Sequence, residues 1–320
     1  MKEMRMYDVT AIGELLIDFT PISADTRDYP AMAANPGGAP SNFLAALAAY
    51  GAKTALLGKV GADVFGEMLI RSLDQAGVET AGIVTDPTVF TTLAFITLDS
   101  AGERSFSFAR KPGADMRLRF EELNLSLIDR SKIFHFGTLS LTDQPARSAT
   151  RKAVEYAKTG GKLVTFDPNI REPLWSSLDE ARKQALWGVA RSDVVKLSSD
   201  EAGFLWGCSA SEGARILCGK YGVKLAMVTM GADGAYLMNR RAAVFAPCPA
   251  VEVVDTTGAG DIFGGSAISR ILKTGKAPED LDEEELMGVA AFAVAAASLS
   301  TQRNGGIPSI PSEEEVKLIV

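Results

Sequence analysis

Apolar residues along this chain fall into two alternating patterns: short continuous runs, and longer stretches spaced at helical intervals. Residues 9–12, 54–57, 163–166, 193–197 and 225–229 are mostly apolar rather than alternating, as expected of strands covered on both faces. Between them lie amphipathic helices. Asp63 reads as an N-cap with Val64, Phe65, Met68, Leu69 and Leu73 on one face, and Gly77 reads as the stop. Pro145 opens another helix that ends near Gly160-Gly161, and an alanine-rich helix covers residues 43–50. This alternation predicts an α/β fold, a doubly wound and mostly parallel sheet flanked by helices, with ligands at the strand C-termini.

Two segments break the rhythm. Residues 15–20 and 89–108 read as extended, and Arg104-Ser-Phe-Ser-Phe-Ala-Arg110 alternates strictly, the mark of strands with one wet face. They predict a small antiparallel β sheet, built from about residues 14–34 and 88–114, projecting from a single domain over residues 1–320. Such a sheet would serve as a lid and as a surface for a homodimer.

Composition narrows the setting. The chain has 320 residues, 47% of them apolar, enough for a substantial core. Its net charge of −7 argues against a nucleic-acid binder working through a basic face. The longest apolar run, residues 289–299, is too short to span a bilayer, and the first residues lack a signal-peptide core. Cys208, Cys218 and Cys248 show no CxxC spacing and read as reduced thiols, so a cytoplasmic location without membrane association is expected. The lone His135 lies between two phenylalanines and reads as a core residue. No His/Cys/Asp cluster has ligand spacing, which gives no support to a metal held by protein ligands alone.

Three motifs carry candidate chemistry. In Asp255-Thr-Thr-Gly258-Ala259-Gly260-Asp261, a β-branched run (Val251, Val253, Val254) places Asp255 at a predicted strand end. The glycine-rich turn then exposes backbone N–H groups at a helix start, where the helix dipole favours an anion. Asp261 would sit beside that anion, placed to take a proton from an attacking hydroxyl; the plain alternative is a turn with Asp as cap. Gly264-Gly265-Ser266-Ala267 permits close packing behind it. In Asn35-Pro-Gly37-Gly38-Ala-Pro-Ser-Asn42, adjacent glycines let backbone approach a ligand, and Asn42 offers donor and acceptor. In Gly13-Glu-Leu-Leu-Ile-Asp18-Phe19, an acid inside an apolar run reads as a strand end awaiting a salt bridge or two sugar hydroxyls. There is no Walker A motif, since Gly58-Lys59-Val60 has the wrong spacing, and no GxGxxG follows the first strand.

Gly37-Gly38 with Asn42, then Gly51 and Gly58-Lys59-Val60-Gly61, resembles the N-terminal signature of the ribokinase-like (PfkB) carbohydrate kinase family. Residues 255–268 resemble its C-terminal signature, with Ser266 where Ala or Gly is usual, and the likeness runs from about residue 7 to about residue 311. The resemblance implies transfer of the ATP γ-phosphate to a sugar hydroxyl, with Asp261 as general base. It assigns the Gly258, Ala259 and Gly260 amides to the moving phosphoryl group and Arg171 to its vicinity. Asp18, Gly37, Gly38, Asn42, Phe108 and Arg110 would hold the sugar. Lys196, Thr229, Gly231, Gly234 and Gly260 would hold ATP, with Val294 where ribokinase has Asn. Mg²⁺ would bridge the ATP phosphates. Glu201 would reach that ion through water, in a Ser198-Ser-Asp-Glu201 element whose first residue is usually Asn. Asp255, Thr257, Ser300, Arg303, Gly305 and Ser309 align with a potassium (K⁺) site.

Residues 13–19, Ala114-Asp115-Met116 and the stretch 167–175 are similar to the fructokinase branch. That makes fructose the expected acceptor. Ketodeoxygluconate kinases share the Asp-Pro-Asn-x-Arg element, in which Arg171, with Arg110, would face a carboxylate; ribose or a nucleoside is a further alternative. A non-catalytic sugar-binding relative would be expected to lack Asp261 or the turn glycines, and both are here.

Overall fold

The computed structural model describes residues 6–22, 31–98 and 104–320. Its strands are β1 (Tyr7–Ile12), β2 (Leu16–Pro21), β3 (Met32–Gly37), β4 (Thr54–Gly61), β5 (Val78–Asp86), β6 (Leu93–Leu98) and β7 (Arg104–Ala109). They continue with β8 (Ser131–Gly137), β9 (Leu163–Asp167), β10 (Val194–Ser198), β11 (Leu225–Thr229), β12 (Gly234–Asn239) and β13 (Ala243–Pro247). Nine of them form one sheet in the order β13-β12-β11-β10-β9-β8-β1-β4-β5. From β5 to β11 every pairing is parallel, and β12 and β13 close one edge antiparallel.

The apolar runs are strands because both of their faces are covered. Val9 and Ala11 of β1 point into a core shared with Leu44, Phe263 and Ala293, on the helices Ala39–Ala49, Ala259–Thr274 and Glu283–Ser300. Tyr7 and Ile12 point the other way, into a core with Val154, Ala185 and Leu217 on Ala146–Thr159, Leu178–Val189 and Ala210–Tyr221. Asp63 caps the helix Val64–Gln75, accepting from the Phe65 and Gly66 amides. Among the described residues no helix is long and apolar enough to cross a membrane.

The second sheet has the order β3-β2-β6-β7. Its outer pairs are antiparallel, as expected, but β2 and β6 run parallel at its centre. β3 was not legible from pattern, because Asn35-Pro36-Gly37 has low strand propensity; it forms at an edge, where a proline is tolerated. Of the expected lid, residues 23–30 and 99–103 lie outside the described residues.

The expected strand before Asp255 does not form. Residues 251–254 are not a strand, so Asp255 does not stand at a strand end; β13 has already finished at Pro247 and forms the sheet's edge. The Val254 and Asp255 amides instead donate to the Thr301 carbonyl at 2.8 and 2.9 Å, which fastens this loop to the end of the Glu283–Ser300 helix.

The helices Ala39–Ala49 and Ala259–Thr274 pack closely because of Gly264 and Gly265. A Cβ on Gly265 would lie 2.5 Å from the Phe43 carbonyl oxygen and 2.8 Å from Ala46 Cβ. Gly265→Ala is therefore expected to cost about 1–3 kcal/mol in denaturant unfolding. It should also lower activity, since it displaces the helix carrying Asn42. Gly264→Ala, whose nearest neighbour is Phe43 Cδ2 at 3.4 Å, should cost less.

Candidate active site

Two helix starts meet at the C-terminal side of the large sheet, and each needs a glycine as its N-cap. Gly38 (φ +110°) precedes Ala39–Ala49, and a Cβ there would stand 2.5 Å from the Glu14 carbonyl oxygen. Gly258 (φ +76°) precedes Ala259–Thr274, and a Cβ there would stand 2.8 Å from Gly306 Cα and 3.2 Å from Asn42 Nδ2. Both positions thus combine a left-handed backbone with contact too close for any side chain. Gly37 supplies space of another kind, because a Cβ on it would collide with the Asp18 carboxylate.

Asp261 is buried in the first turn of the second helix. Its Oδ2 accepts from Asn42 Nδ2 at 2.9 Å and its Oδ1 from Asn169 Nδ2 at 3.1 Å. Burial raises its pKa above the ordinary value, opposed by the Asn42 hydrogen bond and by the Lys196 and Arg171 charges. Asn169 holds its place with φ +46°, a left-handed conformation that asparagine tolerates. Behind the turn, Lys196 Nζ pairs with Asp167 Oδ2 at 2.9 Å and would meet a Cβ on Gly260 at 2.9 Å. Burial works against the Lys196 charge, but Asp167, Glu201 and Asp261 outweigh it and raise its pKa.

Three clefts surround this turn. The first, about 320 Å³, is lined by Asp18, Asn42, Phe108, Arg171 and Asp261, together with Glu14, Leu16 and Leu139. A second, about 520 Å³ and more apolar, is lined by Thr229, Gly231, Gly234, Val294, Ala259 and Gly260. The third, about 280 Å³, includes Asn169, Arg171, Lys196 and Glu201. Thr256 lines both of the first two, so the Gly258–Asp261 turn is the partition between them. Arg171 belongs to the first and third.

The remaining expected residues divide. Phe108 lines the first cleft, as do Asp18 and Gly38. Asp18 sits within β2, paired with Asn35 and Ala94, rather than at a strand end. Arg110 is not on that wall: it is 3% exposed and bonded to Asp115, Thr142 and Leu139. One hydrogen of Asn42 goes to Asp261 rather than to a ligand. The Ala259 amide donates to the Thr256 carbonyl at 3.3 Å. Glu201 closes a capping box with Ser198 and also accepts from the Ile170 amide at 2.9 Å. The Asp255 carboxylate accepts from Thr257 N, Thr257 Oγ1 and Gly305 N, at 2.9, 2.7 and 2.9 Å. Ser300 and Ser309 donate their hydroxyls to the Ala297 and Gly306 carbonyls, and Arg303 pairs with Glu315 at the surface. Lys196 lines the third cleft rather than the second. Among the described residues no group of three or more His, Cys, Asp or Glu side chains is placed to hold a metal ion.

Sequence reasoning missed Asn169 and Glu14. The signal for Asn169 was its place after Asp167-Pro168, where an amide can adopt the turn that a bulkier residue resists. Glu14 is buried, accepts from the Ala39 amide at 2.9 Å, and is pushed by burial to a pKa of about 7. His135 is a core residue: it stacks on Phe43 at 3.8 Å, and burial, with the Lys196 charge, lowers it to about 3.

A profile of the pfkB family carbohydrate kinase matches residues 6–313. The chain belongs to the PfkB carbohydrate kinase family. It is 42% identical to fructokinase-1 of Zea mays over 316 residues, 98% of this chain and 97% of that protein. It is also similar to the crystal structure of a Xylella fastidiosa fructokinase with bound ATP, with 32% identity, a TM-score of 0.89, and 98% and 97% of the two chains covered. A Vibrio cholerae O395 fructokinase, solved with fructose, ADP and calcium, matches with 30% identity, a TM-score of 0.86, and coverage of 98% and 99%.

The first cleft of this PfkB kinase stores unfavourable charge. Burial raises the Asp18 carboxyl from 3.8 to about 7, with Asp261 and Asp255 adding to it and Arg171 opposing. Between those pH values the folded protein binds more protons than the unfolded chain, so stability falls as pH rises from about 4 to about 7. Asp18→Asn, neutral at every pH, is expected to raise Tm at pH 8 and to leave it nearly unchanged at pH 4. Thermal scans at the two pH values check this; equal shifts would remove the charge as the cause.

Proposed function

We propose that this enzyme is an ATP-dependent fructokinase, transferring the γ-phosphoryl group to a hydroxyl of free fructose. The observation that carries the reading is the partition: Asp261 faces the first cleft while Gly260, one residue earlier, faces the second. A hydroxyl in the first cleft and a phosphate chain in the second would meet across this turn. Asp261, held as an acceptor by two amides, takes the hydroxyl proton, a contribution of roughly 10²–10⁴-fold. The backbone amides at the helix start, with Lys196 behind them and Arg171 at the side, offset charge on the moving phosphoryl group. ATP would occupy the cleft of Thr229, Gly231 and Gly234.

Fructose is favoured over a sugar acid by charge. Glu14, Asp18 and Asp261 line the acceptor cleft against Arg171, and Arg110 is engaged in its own ion pair. A neutral polyol can donate hydroxyls to those carboxylates, whereas a carboxylate ligand would be repelled. The fructokinase relatives support the same choice. Mg²⁺ would be drawn to the third cleft, where Glu201 and Asp200 contribute carboxylates. Glu201's oxygens already accept amides, which suits contact through water; the ion would neutralise phosphate charge. A K⁺ ion would draw on the Asp255 carboxylate and on backbone oxygens of the two loops it joins. The small sheet is proposed as the lid and as the face a second copy clasps, with Phe90 and Ile22, 78% and 65% exposed, at its margin.

A coupled ADP-release assay with ATP and Mg²⁺ tests the substrate. Turnover on fructose should exceed that on ribose, ketodeoxygluconate, adenosine and tagatose-6-phosphate by about tenfold or more in kcat/KM. Preference for ketodeoxygluconate would overturn the charge argument, and silence on all five would overturn the kinase assignment of the first cleft.

A further inference from the structure

Arg110 and Asp115 form an ion pair behind the apolar wall of the first cleft, 3% and 6% exposed. Asp115 Oδ2 accepts from Arg110 Nε at 2.8 Å and lies 2.7 Å from Nη2. The other bonds leave for different segments. Nη1 donates to Thr142 Oγ1 and Nη2 to the Leu139 carbonyl, both at 2.9 Å. Asp115 Oδ1 accepts from Thr92 Oγ1 at 2.5 Å.

Thr92 immediately precedes β6, and Arg110 immediately follows β7. One ion pair therefore grips both ends of the β6–β7 hairpin and ties them to the 139–142 loop. That loop delivers Leu139, which packs against Leu16, Ala94 and Phe108; Leu139, Leu16 and Phe108 all line the acceptor cleft. Gly113 is fitted inside the same turn, where a Cβ would collide with Thr92 Oγ1. A buried ion pair adds little net stability over an apolar replacement. What it supplies here is direction, since a planar guanidinium can hold three partners at fixed angles and an ammonium cannot.

We propose that the Arg110–Asp115 pair is a positioning device for the acceptor, setting Phe108 and Leu139 against the sugar without touching it. This rests on reading the first cleft as the acceptor site. Arg110→Lys and Asp115→Asn in the full chain should each raise the acceptor KM about tenfold, with the ATP KM changed less than about threefold. The double variant should be no worse than the poorer single one, because the two residues act as a unit. Hydrogen exchange, which needs no known acceptor, should quicken in Leu93–Leu98 and Arg104–Ala109 and stay unchanged in β8, β9 and β10. Should Arg110→Lys fail to fold, Thr142→Val removes one bond of the set and should raise the acceptor KM by a smaller factor, about threefold.

Raised acceptor KM in Arg110→Lys with none in Asp115→Asn would make Arg110 a direct ligand and overturn the proposal. Faster exchange throughout the sheet, or equal rises in both KM values, would reduce the pair to general stability and overturn it as well. If the wild type ignores fructose, the fructose assignment fails on its own, and the exchange pattern still decides this one.

Discussion

The Asp261 carboxylate is held by two amide side chains that arrive from distant parts of the chain. Asn42 lies 219 residues away in sequence and Asn169 lies 92 away. Asn42 comes from a helix on one face of the large sheet, and Asn169 from the loop after β9. The carboxylate can be in place only when the sheet order, both glycine-capped helix starts and the left-handed turn at Asn169 are all correct. Neutral donors suit this task. They orient the acid and favour its charged form, yet they bring no positive charge that would hold it as a weak base.

Around that point the molecule collects more negative charge than a stable core would. Glu14, Asp18 and Asp167 are all raised by burial, and the charges of Arg110, Arg171 and Lys196, in that order, only partly offset them. Such a cluster is costly in the empty protein. Hydroxyl donors, and a phosphate chain with its counter-ion, would offset that cost on entering the clefts as proposed. The charges are interleaved: Glu14, Asp18 and Asp261 line the first cleft with Arg171, and Lys196 stands in the third, paired with Asp167.

Much of this was legible in sequence because the physics is local. Continuous apolar runs marked the buried strands. Gly38 and Gly258 stood out as glycines ahead of helix starts, where backbone can come close to a neighbour. What stayed hidden depends on tertiary partners. β3 exists by pairing with β2 against the propensity of Pro36 and Gly37. Asp255 owes its place to the Thr301 carbonyl, not to a strand, so the β-branched residues before it misled. Arg110 shows the limit best. An arginine beside a lid strand has the same sequence signature whether it meets a ligand or braces the wall behind one, and only its four bonds to protein atoms distinguish the two. Asn169 was visible as a motif residue, but its contact with Asp261 joins segments 92 residues apart.

Asp261, in the proposed role, acts on the proton and not on binding. The most direct measurement compares Asp261→Asn with the wild type in kcat and, by calorimetry, in the dissociation constants of fructose and of ATP with Mg²⁺. Asparagine keeps the size of the side chain and can still accept from Asn42 or Asn169. In Asp261→Asn, kcat should fall by about 10²-fold or more, with both dissociation constants within about threefold of wild type. Near-full turnover would contradict it, as would a loss of activity explained by lost sugar affinity alone.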